Sequence, residues 1–268
     1  MTGRLHATLD GPDNAPVLVL GSSLGTTGEL WTPQLHALTR RFRVVRYDHA
    51  GHGRSALPPG PYTIDGLGAE LLALLDDLGL RRVSYGGLSL GGMLGMWLAA
   101  YAPQRVERLA LLCTSPLLGP AQGWADRAAT VRRDGTGAIA GTVVGRWFTS
   151  AFAAARPEVV AGHRAMLAAT PADGYAACCE AIGAMDLRPD LPRITAPTLV
   201  VAGADDPATP VPHAELIASL IPGARLRVVG SAAHLANVEQ PETVTELLLD
   251  HFGATENRAT GGAADERP

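Results

Sequence analysis

Lysine is absent: all 22 basic side chains of this 268-residue chain are arginines. That excludes a Schiff-base lysine, a phosphate-loop lysine and a Ser–Lys dyad. Cysteine is scarce, with only Cys113, Cys178 and Cys179. Their number and spacing suit neither a disulfide framework nor a zinc site, and each reads as a small buried hydrophobe. No His/Asp/Glu grouping has metal-ligand spacing, so no metal is expected. No apolar run approaches the roughly 18 residues of a membrane span. Met1 to Asp10 lacks the apolar stretch of a leader peptide. The expectation is a soluble, cytoplasmic protein with no membrane partner. Acidic side chains outnumber basic ones 26 to 22, a net charge of −4 that leaves no electrostatic footprint for nucleic acid.

What is present points to a packed, globular chain, with 47% apolar and 18% charged residues. Short apolar runs alternate with helical patterns. Strands are expected at Val17–Leu20, Arg43–Tyr47, Val83–Gly86, Val106–Cys113, Thr198–Ala202 and Arg225–Val229. Helices are expected at Leu67–Leu80, Leu90–Tyr101, Pro212–Ile221 and Thr243–Phe252. Such alternation predicts an α/β fold with a mostly parallel central sheet flanked by helices. Active sites of such sheets lie beyond the carboxyl ends of the strands. Residues 115–189 break the rhythm: they are Ala-rich and helix-like (Trp124–Arg133, Thr136–Phe148, Val159–Ala168, Tyr175–Met185). The expected organisation is a core of residues 1–114 and 190–253, a helical cap insertion at 115–189, and a disordered tail at 254–268.

Gly87-Leu88-Ser89-Leu90-Gly91 matches G-x-S-x-G, and its context gives the match weight. A strand precedes it and a helix follows, the arrangement of the nucleophile elbow of α/β hydrolases. The glycines are required because the sharp turn at Ser89 leaves no room for Cβ atoms beside it. The helix behind aims free N–H groups at developing negative charge. In that fold an acid and then a histidine follow the serine along the chain. The strand at Thr198–Ala202 leads into Asp205-Asp206-Pro207, where Asp206 fits the pattern better than Asp205. His234 follows the last strand and is the expected base. His213 and His251 read as solvated, and His6, His36 and His163 as structural or exposed. The oxyanion hole needs two backbone N–H groups. Leu90, after the nucleophile, supplies one; Leu24, in the loop after the first core strand, supplies the other. Gly51-His52-Gly53-Arg54-Ser55-Ala56 also matches a dinucleotide fingerprint. Pro58, Pro59 and Pro61 forbid the helix that motif requires, so the dinucleotide reading is rejected.

Several of these stretches together resemble 3-oxoadipate enol-lactonases. They are Ser22 to Thr27 with Trp31, Tyr47-Asp48 with Gly51-His52-Gly53, and Gly87 to Met93 with Trp97. Arg146 to Thr149, Gly203 to Pro210 and Ala233 to Asn237 complete the set. Ala50 departs from the pattern, since relatives often carry Arg there. The resemblance implies hydrolysis of 3-oxoadipate enol-lactone to 3-oxoadipate, within aromatic acid catabolism, through an acyl-enzyme on Ser89 and without cofactor or metal. Its small-molecule substrate carries a carboxylate. Arg132 and Arg133 are the expected cations for it, and Trp124 and Trp147 the expected pocket walls. The same triad serves general carboxylesterases and cofactor-free haloperoxidases, and a non-catalytic binding protein could share the fold.

Overall fold

The computed structural model describes residues 5–253. Residues 254–268, expected as a disordered tail, lie outside them. The chain runs through β1 (Ala7–Asp10), β2 (Val17–Gly21), α1 (Thr32–Leu38), β3 (Arg43–Tyr47), α2 (Ile64–Asp77), β4 (Val83–Leu88), α3 (Leu90–Tyr101) and β5 (Val106–Leu112). Then come α4 (Ala121–Asp134), α5 (Gly137–Val144), α6 (Ser150–Ala155), α7 (Pro157–Ala168) and α8 (Ala172–Ala184). The chain ends on β6 (Thr198–Gly203), α9 (Val211–Leu220), β7 (Arg225–Val229), α10 (Ala236–Glu239) and α11 (Pro241–Gly253). The seven strands form one sheet in the order β1-β3-β2-β4-β5-β6-β7. Only β1 is antiparallel, to β3.

The central strands need cover on both faces, and their sequences say so. Every residue of β4 and β6 is buried, as expected where helices pack on both sides of a parallel sheet. Helix α3 behaves alike: Leu90 through Ala100 are all buried, with only Tyr101 exposed. It is apolar all round, so it sits inside the molecule rather than on it.

Local departures from the expected elements have local causes. The helix expected to run to Phe148 stops at Val144, followed by Gly145, and the chain turns through Arg146 and Trp147. Strand β1, helix α1 and helix α6 are too short to leave a periodic signature. His251, expected in solvent, is instead buried, with Nε2 hydrogen-bonded to the Leu109 carbonyl at 2.9 Å. His213, also expected in solvent, is half-buried and shares a 2.7 Å hydrogen bond with the Ser115 hydroxyl.

Burial, reinforced by the charges of Arg108 and Arg225, holds His251 down at about 4, from an ordinary imidazole value of 6.5. The unfolded chain therefore binds a proton there that the folded chain refuses between those two values. Stability from this group is complete above pH 6.5 and is lost as the pH falls toward 4. Urea unfolding midpoints are expected to drop between pH 7 and pH 5, and His251→Gln, which keeps a donor for Leu109, should flatten that drop. An unchanged slope in the variant contradicts this assignment.

Candidate active site

The elbow is built from close backbone contacts. Ser89 has φ 56° and ψ −116°, a strained conformation for a residue with a side chain, costing about 1–3 kcal/mol. A Cβ at Gly91 would lie 2.3 Å from the carbonyl carbon of Gly21, and one at Gly87 would lie 2.2 Å from the oxygen of Gly91. Gly91 thus lets α3 reach the end of β2, and Gly87 lets the chain turn back tightly from β4 into α3. Beneath them, the Tyr85 hydroxyl donates to the Gly91 carbonyl at 2.9 Å, which leaves the Tyr47 hydroxyl to donate to Tyr85 at 2.8 Å. Burial pushes both phenols up, so they stay neutral donors.

The acid and the imidazole meet beyond the ends of β6 and β7. His234 Nδ1 lies 2.9 Å from Asp206 Oδ2, with both side chains buried. Asp205, the sequence alternative, is exposed. Asp206 also accepts from the Thr209 hydroxyl at 2.6 Å and from the N–H groups of Ala208 and Thr209. Burial alone would push this carboxyl up. His234 and the Thr209 donors outweigh it and hold the group at about 2. An ionised Asp206 fixes the proton on Nδ1 and leaves Nε2 as an acceptor turned to the cavity that also holds Ser89. Ser89 and His234 form no hydrogen bond with each other among the described residues. Catalytic contacts of this kind often tighten only around substrate.

Two N–H groups stand near the serine. Leu90 opens α3, so its N–H has no acceptor one turn back in the helix. Leu24 lines the same cavity, in a turn whose next residue, Gly25, donates its N–H to His52 Nε2 at 3.0 Å. Burial and the neighbouring His49 hold His52 down at about 4, so it stays neutral; with Nε2 accepting, Nδ1 donates to the Ala50 carbonyl. His49 contributes a second brace, its Nε2 lying 2.7 Å from the Ser22 carbonyl that also accepts the Gly91 N–H. The Gly51–Ala56 loop thus supports the turn at Ser22–Gly25 from behind, and Ala50 packs into the core beside it.

The cavity over Ser89 has a volume of about 330 Å³, and the segment between β5 and β6 supplies much of its wall. Trp124 and Trp147 line it as expected from sequence. Arg132 and Arg133 do not, and this corrects the sequence expectation: Arg132 is paired with Glu180, and Arg133 is exposed and paired with Asp134. The arginines facing the cavity are Arg127 and Arg146. Arg127 is half-buried and stacks 4.6 Å over the Trp124 ring, while Arg146 stands at the more exposed rim. Neither is ion-paired among the described residues. Partial burial and the Arg127 charge lower the Arg146 guanidinium from its ordinary value. Beside them, fully buried Tyr175 has a hydroxyl with no hydrogen-bond partner among the described residues. The sequence carried half of this signal. On α4, Arg127 falls on the stripe Trp124, Ala128 and Val131, where a charged residue would be out of place without a partner. Arg146 lies in a turn that no periodicity marks.

Other groups lie outside this chemistry. Burial pushes all three cysteine thiols up, the reverse of what a nucleophile needs. A larger groove of about 880 Å³ between Thr27–Thr32 and α7 contains His6 and Asp48. Asp48 there is occupied by the N–H groups of Gly28 and Arg54.

Comparison with known proteins agrees with this geometry. Residues 16–241 match the family described as the alpha/beta hydrolase fold. The chain is 41% identical to 3-oxoadipate enol-lactonase 2 of Acinetobacter baylyi, over 90% of its own length and 91% of that protein's. It is 35% identical, over 93% of itself and 95% of the relative, to a candidate carbamate hydrolase of Stutzerimonas stutzeri. Among solved structures, the enol-lactonase from Burkholderia xenovorans LB400 superposes with a TM-score of 0.92 at 41% identity, covering 94% of this chain and 97% of the other. The chain therefore belongs to the α/β-hydrolase family of enzymes, where its similarity to 3-oxoadipate enol-lactonases extends over nine-tenths of its length.

Proposed function

We propose that this enzyme hydrolyses 3-oxoadipate enol-lactone, a small lactone bearing a carboxylate, through an acyl-enzyme on Ser89. The observation that carries this reading is the pairing, in one cavity, of an elbow serine with two arginines that have no acid partner among the described residues. Two such cations call for an anionic group on the substrate, at a distance from the carbonyl that Ser89 attacks. The similarity to enol-lactonases supports the identity of that substrate and, with it, a place in aromatic acid breakdown in the cytoplasm.

The chemistry follows from the roles of the residues. His234 Nε2 takes the Ser89 proton as the Oγ–carbon bond forms. The oxyanion is held by the N–H groups of Leu24 and Leu90. Asp206 keeps the imidazole in the right tautomer and stabilises its charge. As the intermediate collapses, the ring C–O bond breaks and the enol oxygen takes the proton from His234, then tautomerises to the ketone. Water, deprotonated by His234, attacks the acyl carbon, and Ser89 regains its proton as the carboxylate departs. Arg127 and Arg146, with the Tyr175 hydroxyl, hold the substrate's own carboxylate, while residues 115–189 act as the cap that walls the cavity. The relative named for carbamate hydrolysis supports a second reading, in which the same serine attacks a carbamate carbonyl.

Steady-state assays separate these readings. The enol-lactone is expected to exceed both p-nitrophenyl acetate and a simple carbamate in kcat/KM; equal or reversed preference would remove the lactone assignment. Asp206→Asn should cut kcat by about 10⁴-fold, the effect of presenting the wrong imidazole tautomer, whereas Asp205→Asn should stay near the parent. The opposite ranking would reassign the acid. Arg127→Ala and Arg146→Ala should each raise KM for the lactone roughly tenfold to a hundredfold, the order of a lost ionic contact. The same variants should leave p-nitrophenyl acetate turnover unaffected. Arg132→Ala should behave as wild type, and a KM effect there instead would overturn the cavity assignment.

A further inference from the structure

Besides the two aspartates already described, one more buried acid exists among the described residues: Glu239, at the end of α10. Its carboxylate bridges two segments. Oε2 accepts the N–H of Ala233, the residue before His234, at 2.9 Å. Oε1 accepts the Thr149 N–H at 3.0 Å and takes a short hydrogen bond from the Thr149 hydroxyl. On the other side of His234, the Leu235 N–H donates to the Trp147 carbonyl at 3.0 Å. The imidazole is therefore bracketed: the backbone on each side of it is tied to residues 147–149.

That segment leaves the cavity wall at Trp147. Trp147 and Arg146 line the cavity, and Thr149 caps α6 by accepting the Phe152 N–H at 3.2 Å. Asp206 fixes the orientation of the ring through Nδ1 but not the position of the loop that carries it. That position is set by the backbone at 233 and 235. No neutral side chain replaces the carboxylate here. It accepts from two N–H groups and a hydroxyl, whereas a glutamine offers one oxygen and would turn its NH₂ against a donor.

We infer that Glu239 is a positioning residue: it locks the His234 loop to the Trp147–Thr149 segment, so that the base and the substrate wall keep one geometry. This rests on the hydrolytic reading above and adds to it a residue that touches no substrate. Displacing a catalytic group by about 1 Å can cost on the order of 100-fold in rate while leaving substrate affinity intact. The effect should therefore appear in kcat.

The test uses the full chain and p-nitrophenyl acetate, with active sites titrated by a fluorophosphonate so that misfolded protein does not count. Glu239→Gln is expected to lower kcat per titrated site by about tenfold to 100-fold with KM within about twofold. Thr149→Val, which removes one donor and leaves Glu239 in place, should lower kcat less. Thr149→Ser, which keeps both contacts, should restore the parent value. Variants that lose thermal stability but keep kcat per titrated site overturn the positioning role and make Glu239 a folding contact only. So does a Glu239→Gln effect confined to KM. Wild-type protein that turns over neither ester nor lactone overturns the hydrolytic reading and this role with it.

Discussion

Everything in this site hangs from the contact of α3 with the end of β2. At Gly91 and Gly87 two backbones approach so closely that a single added carbon would overlap carbonyl atoms. That approach forces Ser89 into a backbone conformation that side chains rarely adopt, and it lifts the hydroxyl out of the turn at the head of a helix. The strain is sustained because the surroundings over-determine it. Tyr47 donates to the Tyr85 hydroxyl, which donates to the Gly91 carbonyl, and α3 is wrapped in core along nearly its whole length. Ser89, the N-terminus of α3 and the Leu90 N–H are thus one rigid object.

Around that object the polar groups are arranged in layers, and each buried acid belongs to one of them. Asp206 holds the imidazole. Asp48 ties the strand after α1 to the Gly28 and Arg54 backbone, beneath the turn that presents Leu24. Glu239 joins the His234 loop to the wall at Trp147. Burying carboxylates is costly unless donors meet them. Here each is met largely by backbone N–H groups and hydroxyls, so the negative charge fixes loops. The two arginines that line the cavity, by contrast, have no acid to satisfy them among the described residues. That asymmetry sets them apart from Arg132 and Arg133, which are held in ion pairs on the outer face of α4.

The legible parts of the chain were those where periodicity or turn chemistry is strong. The buried strands β4, β5 and β6, the helix α3 and the G-x-S-x-G elbow all carry local signals, and Asp206 and His234 follow from strand order. What escaped was non-local. Strand β1 is a short edge whose partner, β3, comes more than 30 residues later. His251 looks like a solvent-facing residue at a helix end until the Leu109 carbonyl, far back in the sequence, is placed against it. Adjacent Arg132 and Arg133 form the more conspicuous pair in the sequence, while Arg127 is marked only by its place on the apolar stripe of α4. Arg146 is brought in by the break after α5.

The covalent intermediate is the most direct point of test. A lactone opens without losing an atom, so a single-turnover mixture quenched in acid should show the chain heavier by the whole mass of the substrate, with the adduct on the peptide that carries Ser89. The absence of any adduct while hydrolysis proceeds at full rate, or an adduct on another residue, would contradict nucleophilic attack by Ser89 and with it the reading of this site.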